Sequence, residues 1–157
     1  MYVDVHTHLT HEKFSSDKEE VIQRAIDAGL EAIVVNGLEP KSNREILELA
    51  ERYSVIVPAL GIYPIDGVCD RLPSDLPFSV TKFDVDGEIA FIDQMAKEGK
   101  IKAVGECGLD GHWLGEETFK RQEEVFEKLI EVAMNHDLPI IIHTRKREAR
   151  SAEILLH

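Results

Sequence analysis

Val3-Asp4-Val5-His6-Thr7-His8 stands at the very start of the chain, and its reading decides the fold. On an extended strand, side chains at alternate positions share a face. Asp4, His6 and His8 then point one way, and Val3 and Val5 turn into apolar packing. Two imidazoles at the C-terminal end of a first strand make a ready pair of metal ligands, with Asp4 placed to orient one ring. Alone, an HxH near a terminus says little. Its weight depends on how the later strands end.

Those strands recur in a regular cycle. Ser16-Asp17-Lys18-Glu19 has the spacing of a capping box, and Val21, Ile22, Ala25 and Ile26 follow at helical spacing up to Gly29. Ala32-Ile33-Val34-Val35-Asn36-Gly37 is a short apolar run rich in β-branched residues, as suits a parallel strand buried on both faces. Ser42-Asn43-Arg44-Glu45 predicts a second capped helix, and Val55–Leu60 a third strand ending in Gly61-Ile62-Tyr63-Pro64. A long connection from Ile65 to Val85 precedes a helix that Asp86 is expected to cap. Lys102–Glu106 is a fourth strand, breaking into Cys107-Gly108-Leu109-Asp110-Gly111. A long helix is predicted from Glu116 to Asn135, then a fifth strand Leu138–His143, then helical residues to the end.

Strict β-α alternation means a parallel sheet with right-handed crossovers. Two architectures satisfy it: an open doubly wound sheet, or part of an eight-fold (β/α)8 TIM barrel. The 157 residues favour the open sheet, because a barrel usually takes about 250. Neither GxGxxG nor GxxxxGK[ST] is present to support a nucleotide-binding sheet.

The polar residues decide for the barrel, whose enzymes carry their chemistry at the C-terminal ends of the strands. His6 and His8 end the first strand, Glu106 the fourth and His143 the fifth. Three His and one Glu without a thiolate suit Zn²⁺, Mn²⁺, Co²⁺ or Fe²⁺, and a carboxylate has two oxygens with which to bridge two ions. The expectation from these residues is part of an α/β TIM barrel, with about five β-α units present.

Composition narrows the rest. A net charge of −12 argues against a broad basic face for nucleic acid, though divalent cations can invert the sign locally. No apolar run approaches the roughly 20 residues that span a bilayer, so no membrane partner is expected. No basic-then-apolar leader is present, and Cys69 and Cys107 form neither a CxxC site nor a disulfide framework. A cytoplasmic location follows as the expectation.

Three blocks carry a family resemblance: Val3-Asp4-Val5-His6-Thr7-His8-Leu9, Gly105-Glu106-Cys107-Gly108-Leu109-Asp110 and Pro139-Ile140-Ile141-Ile142-His143-Thr144-Arg145. In order, spacing and strand-end placement they resemble the signatures of the TatD-type metal-dependent hydrolases, which are amidohydrolase-like barrels. That resemblance implies a (β/α)8 TIM barrel of the metal-dependent hydrolase type, with residues 1–157 as the N-terminal portion of a single domain. Gly61-Ile62-Tyr63-Pro64 is similar to a fourth. The resemblance implies that His6 and His8 bind one divalent ion, that Glu106 bridges, and that His143 binds a second ion, drawn from Zn, Mn, Mg or Co. Glu106 and His143 would be the catalytic residues. It implies hydrolysis of phosphodiester bonds, chiefly in DNA. Tyr63, His112 and Arg145 are the candidate substrate contacts, Trp113 is placed to stack on a base, and Asp110 reads as a loop organiser.

Three departures qualify the resemblance. Tyr63 stands where the family usually has His, so a hydrogen bond donor replaces a group that can become cationic. Cys107 takes an often apolar place, and as Glu106's neighbour it should face away from the pocket and pack. The family also has three more strands, bringing a further His and an Asp. On this reading the chain is truncated or partly traced, and His157 is no substitute for the missing His. A deaminase or amide hydrolase of the amidohydrolase type, and a non-catalytic metal-binding or assembly fragment, are the competing functions.

Overall fold

Strands and helices alternate along the whole chain in a computed structural model that describes residues 2–72 and 76–156. Residues 73–75 of the long connection, and His157, lie outside the described residues. The order is β1 (Tyr2–Thr7), α1 (Lys18–Asp27), β2 (Leu30–Asn36), α2 (Pro40–Arg52), β3 (Ile56–Leu60), α3 (Val85–Lys97), β4 (Ala103–Asp110), α4 (Glu116–Asn135), β5 (Ile140–Arg145) and α5 (Glu148–Leu155). One-turn 3-10 helices occupy Glu12–Phe14 and Asp66–Val68. No helix of the described residues is long and apolar enough to cross a membrane.

The five strands are parallel and lie side by side in chain order, β1-β2-β3-β4-β5. A doubly wound sheet reverses its strand order part-way, because its helices cover both faces. This sheet never reverses. It is a half barrel, as the strand-end chemistry indicated and the length did not. Ile22, Ile46, Ile92, Phe126 and Leu129 from α1–α4 pack with Ile33, Val35, Ile56, Leu60 and Val104 of the sheet as one core.

Local corrections have local causes. The second capping box is shifted: Glu39 is the N-cap of α2, its carboxylate accepts from the Lys41 and Ser42 N–H groups, and Ser42 Oγ accepts from the Glu39 N–H. Pro40, with its φ preset for the first helical position, starts the helix two residues before Ser42. The expected Ser16 box does not form; Asp17 occupies the N-cap of α1 without a side-chain cap bond and lies 3.6 Å from Arg24. Asp84, not Asp86, caps α3, through the Gly87 N–H at 3.0 Å.

The largest correction concerns β1. Val3 and Val5 do not enter apolar packing: they are 53% and 67% exposed. β1 is an edge of the sheet, and among the described residues it pairs only with β2 and leaves both valines open to water.

β4, in contrast, runs four residues past Glu106 and is buried along its full length. Its glycines permit this. A Cβ on Gly108, which has φ 140°, would lie 2.0 Å from the His143 carbonyl oxygen, so β4 and β5 approach each other as only glycine allows. The same approach sets Gly108 beside His143 in the β4–β5 register.

Candidate metal centre

The curl of the sheet builds the site. β1 and β4 stand three strands apart, about 14 Å in a flat sheet, where side chains rise perpendicular to the strands and do not meet. Here His6 Nε2 and Glu106 Oε2, 100 residues apart in sequence, are 3.3 Å apart. His8 Nε2 is 3.1 Å from the same oxygen and 3.3 Å from His6 Nε2. Three potential ligand atoms thus converge at one point, two from an exposed edge strand and one from a buried central strand.

Each member is held from behind. His8 Nδ1 lies 3.2 Å from the main-chain carbonyl of Asn36, an acceptor only, so this nitrogen is the donor. The Nε2 of a neutral His8 then turns a lone pair toward the Glu106 carboxylate. Two lone pairs at 3.1 Å require a proton or a cation between them. Asp4 does not orient a ring, as the alternation suggested; its Oδ1 accepts from the His6 main-chain N–H at 3.2 Å. The orienting group sequence reasoning missed is the Asn36 carbonyl, which has no residue signature to find.

Glu106 presents its second oxygen to the other side, where Oε1 is 3.1 Å from His143 Nδ1. His143 Nε2 is in turn 3.1 Å from Asp110 Oδ2 and 3.3 Å from the Tyr63 hydroxyl, with the Tyr63 ring 4.6 Å away centroid to centroid. Asp110 does organise the following loop, through the His112 and Trp113 N–H groups at 2.8 and 3.0 Å on Oδ1. That it also touches His143 was not foreseen. Asp110 is itself fixed by Gln122 of α4, whose amide accepts from the Asp110 N–H at 2.7 Å and donates to the Asp110 carbonyl at 3.0 Å.

The electrostatics follow these contacts. Burial pushes the Glu106 carboxyl up, but hydrogen bonds with His143 and His8 and the charges of His8 and His6 hold it far below the usual carboxylate range. Its hydrogen bond with Glu106 raises His8. For His143, burial favours the neutral ring, yet Glu106 and Asp110 together outweigh it and raise the pKa. Tyr63 is pushed up to about 12 by burial and by the negative Asp110 nearby, so its hydroxyl keeps its proton.

The other predicted residues sit around this core. Arg145 ends β5, exposed, and its charge reaches Tyr63. His112 is exposed, with its ring 4.6 Å from that of Trp113. Cys107 faces away, buried, with Sγ 3.8 Å from the Ile141 carbonyl, and burial raises its thiol pKa far above the ordinary value. It packs, as expected.

The donor set fits a divalent cation. Ligands about 2.0–2.2 Å from a tetrahedral ion stand roughly 3.3–3.6 Å from one another, close to the 3.1–3.3 Å among His6, His8 and Glu106. On the other side of Glu106, His143 is the only further imidazole within hydrogen-bond distance of the carboxylate among the described residues.

Known proteins resemble this chain in sequence and in fold. A family model described as "TatD related DNase" matches residues 3–157. Among curated relatives, the "Uncharacterized metal-dependent hydrolase YabD" of Bacillus subtilis is 37% identical, over 92% of this chain and 51% of its own length. The human "Deoxyribonuclease TATDN3" is 30% identical, over 99% of this chain and 59% of its own length. The crystal structure of YjjV, described as a TatD homologue from Escherichia coli, superposes with a TM-score of 0.78 at 30% identity, covering 99% of this chain and 55% of that one. The chain thus spans about half the length of the curated relatives it matches.

Proposed function

We propose, from the premise that this chain belongs to the TatD-related DNase family, that it carries the His6/His8/Glu106/His143 portion of a two-cation phosphodiesterase acting on nucleic acid. The observation that carries the reading is the ionised Glu106 carboxylate with one oxygen on the His6–His8 pair and the other on His143. His6, His8 and Glu106 would hold one cation, and Glu106 and His143 the second. Residues 1–157 then form the N-terminal portion of one barrel domain. A glutamate between the two groups, and not a lysine available for carboxylation, favours phosphodiester over amide chemistry.

Divalent cations bound there supply Lewis acidity, activating water and offsetting phosphate charge. The chain's own residues do the rest. Glu106 stays ionised and keeps His6 and His8 converged. The Asn36 carbonyl fixes the His8 tautomer that leaves Nε2 free. Asp110, anchored by Gln122, holds His143 against Glu106. Tyr63, retaining its proton, donates to a phosphate oxygen in the place where the family pattern has a His. Arg145 and His112 line the rim where the nucleic-acid backbone enters. The human relative named a deoxyribonuclease makes DNA the first substrate to test. Free, buried Cys69 and Cys107 are consistent with the cytoplasmic location proposed for it.

The test begins with the cation. Calorimetric titration with Mn²⁺ should give saturable binding in the unaltered chain and none after His8→Ala or Glu106→Gln. Hydrolysis of a single-stranded oligodeoxynucleotide with Mn²⁺ should fall at least a thousandfold in Glu106→Gln. Unchanged Mn²⁺ affinity in both variants would remove the basis of the assignment.

A further inference from the structure

Beside the metal centre lies a cavity of about 390 Å³ that the mechanism above does not use. Tyr63 is the shared wall: its ring packs on His143 and also lines this cavity. Phe78, Trp113, His11 and Asp66 form much of the remainder. The volume lies within the range of small-molecule and cofactor pockets.

Its aromatic rings are unusually open. Trp113 and Phe78 meet edge to face with centroids 5.5 Å apart, yet they are 38% and 39% exposed. Paired aromatic rings open to water offer a face on which a planar ring can stack. Trp113 is also held in register with the metal centre. Its main-chain N–H donates to Asp110 Oδ1, and the other oxygen of that carboxylate lies 3.1 Å from His143 Nε2.

The polar lining selects the ligand chemistry. Among the described residues no Lys or Arg borders the cavity, so a phosphate group meets no permanent positive charge there. Beside the His11 ring and the Ser79 hydroxyl it offers the Asp66 carboxyl. Burial and the neighbouring Glu39 charge push that group up to about 7, which lets it accept or donate a hydrogen bond near neutral pH. Flat apolar faces with one hydrogen-bonding carboxyl suit a heteroaromatic ring bearing an exocyclic amino group, because carboxylates accept from such groups.

We propose that this cavity is a nucleobase subsite, holding the base of the nucleotide next to the scissile phosphodiester against Trp113 and Phe78 with its amino edge on Asp66. The assignment rests on the reading of the metal centre as acting on a nucleic-acid backbone. Phosphate and base are neighbours within one nucleotide, as centre and cavity are neighbours across one tyrosine ring. A base placed here is unstacked from its strand, so the substrate end is single-stranded or frayed. Adenine and cytosine, which carry amino groups, are preferred to thymine.

Trp113 is the only tryptophan in the chain, so its fluorescence reports on the cavity directly. Titration of the full chain with deoxyadenosine 5′-monophosphate should quench it saturably, and 2-deoxyribose 5-phosphate, which has no base, should leave it unchanged. Phe78→Ala should weaken the nucleotide about tenfold, the loss of one stacking face. Phe78→Leu, which keeps the apolar volume, should show a similar loss. Asp66→Ala should erase the preference over thymidine 5′-monophosphate. Equal quenching by the baseless sugar phosphate, no saturable quenching by the nucleotide, or affinity within twofold in both Phe78 variants would each overturn the subsite. The two readings fail separately: oligonucleotide hydrolysis without base-dependent quenching sinks the subsite alone. Base-dependent quenching without hydrolysis or Mn²⁺ binding sinks the phosphodiesterase and leaves the cavity a base-binding site with no scissile bond beside it.

Discussion

Asp66 is a residue whose environment opposes its charge, and the sign of that effect is measurable. Its carboxyl moves from 3.8 to about 7 through burial, with Glu39 adding to the shift. The folded chain therefore retains a proton that the unfolded chain has lost. Below pH 4 both states are protonated and the group costs nothing. Between pH 4 and 7 the unfolded state binds fewer protons, so stability falls as pH rises, and above 7 the penalty levels off. Asp66→Asn should match the unaltered chain near pH 4 and be the more stable at pH 8, by at most about 4 kcal/mol. Thermal unfolding across that range checks it, and a difference independent of pH would refute the shift. Nothing in the sequence near Asp66 announced this, because burial of a loop carboxyl depends on where the loop folds back. His6, His8, Glu106 and His143 were legible for the opposite reason: each is a metal-ligating type at the end of its own apolar strand. The two main-chain features that complete the site, the Asn36 carbonyl and the close approach at Gly108, leave no such mark.

Among the elements, α4 shows what amphipathic periodicity can deliver. Its bounds, Glu116–Asn135, are those its apolar stripe predicted, since twenty residues average out local ambiguity. β4 was underestimated because Cys107-Gly108-Leu109-Asp110 has the composition of a turn, and only contact with β5 makes it a strand. Gln122 joins these two elements. It closes both main-chain hydrogen bonds of buried Asp110, and its amide also donates to Thr118 Oγ1 at 3.0 Å. Gln122→Leu preserves the volume and leaves two buried main-chain groups unpaired, a loss of roughly 2–4 kcal/mol. The same variant should lower kcat more than it raises KM, since the displaced Asp110 holds His143. A change in Tm with unchanged kcat would assign Gln122 to the fold alone.

On the scale of the whole molecule, an edge strand carries half of the candidate ligands. β1 has one neighbour among the described residues, exposes Val3 and Val5, and with the residue just past its end brings His6 and His8 to a carboxylate three strands away. That arrangement explains why the fold was legible from chemistry and not from length: convergence of strand-end residues requires a curled sheet, whereas 157 residues favour an open one. It also makes β1 the part of the sheet most easily opened locally. A cation held by His6, His8 and Glu106, as proposed, would tie the edge to the buried carboxylate, and opening β1 would then mean releasing the ion. At a free cation concentration 100 times Kd, that linkage adds about 2.7 kcal/mol to the opening. Amide exchange in Tyr2–Thr7 should therefore slow about a hundredfold on saturation with Zn²⁺. The last turn of α5, which frays without disturbing the site, should be unaffected. His8→Ala should abolish the protection while leaving the exchange of the metal-free chain as it was. Equal protection of α5, or protection surviving in His8→Ala, would mean that the ion binds elsewhere and that the edge strand is held by something other than its histidines.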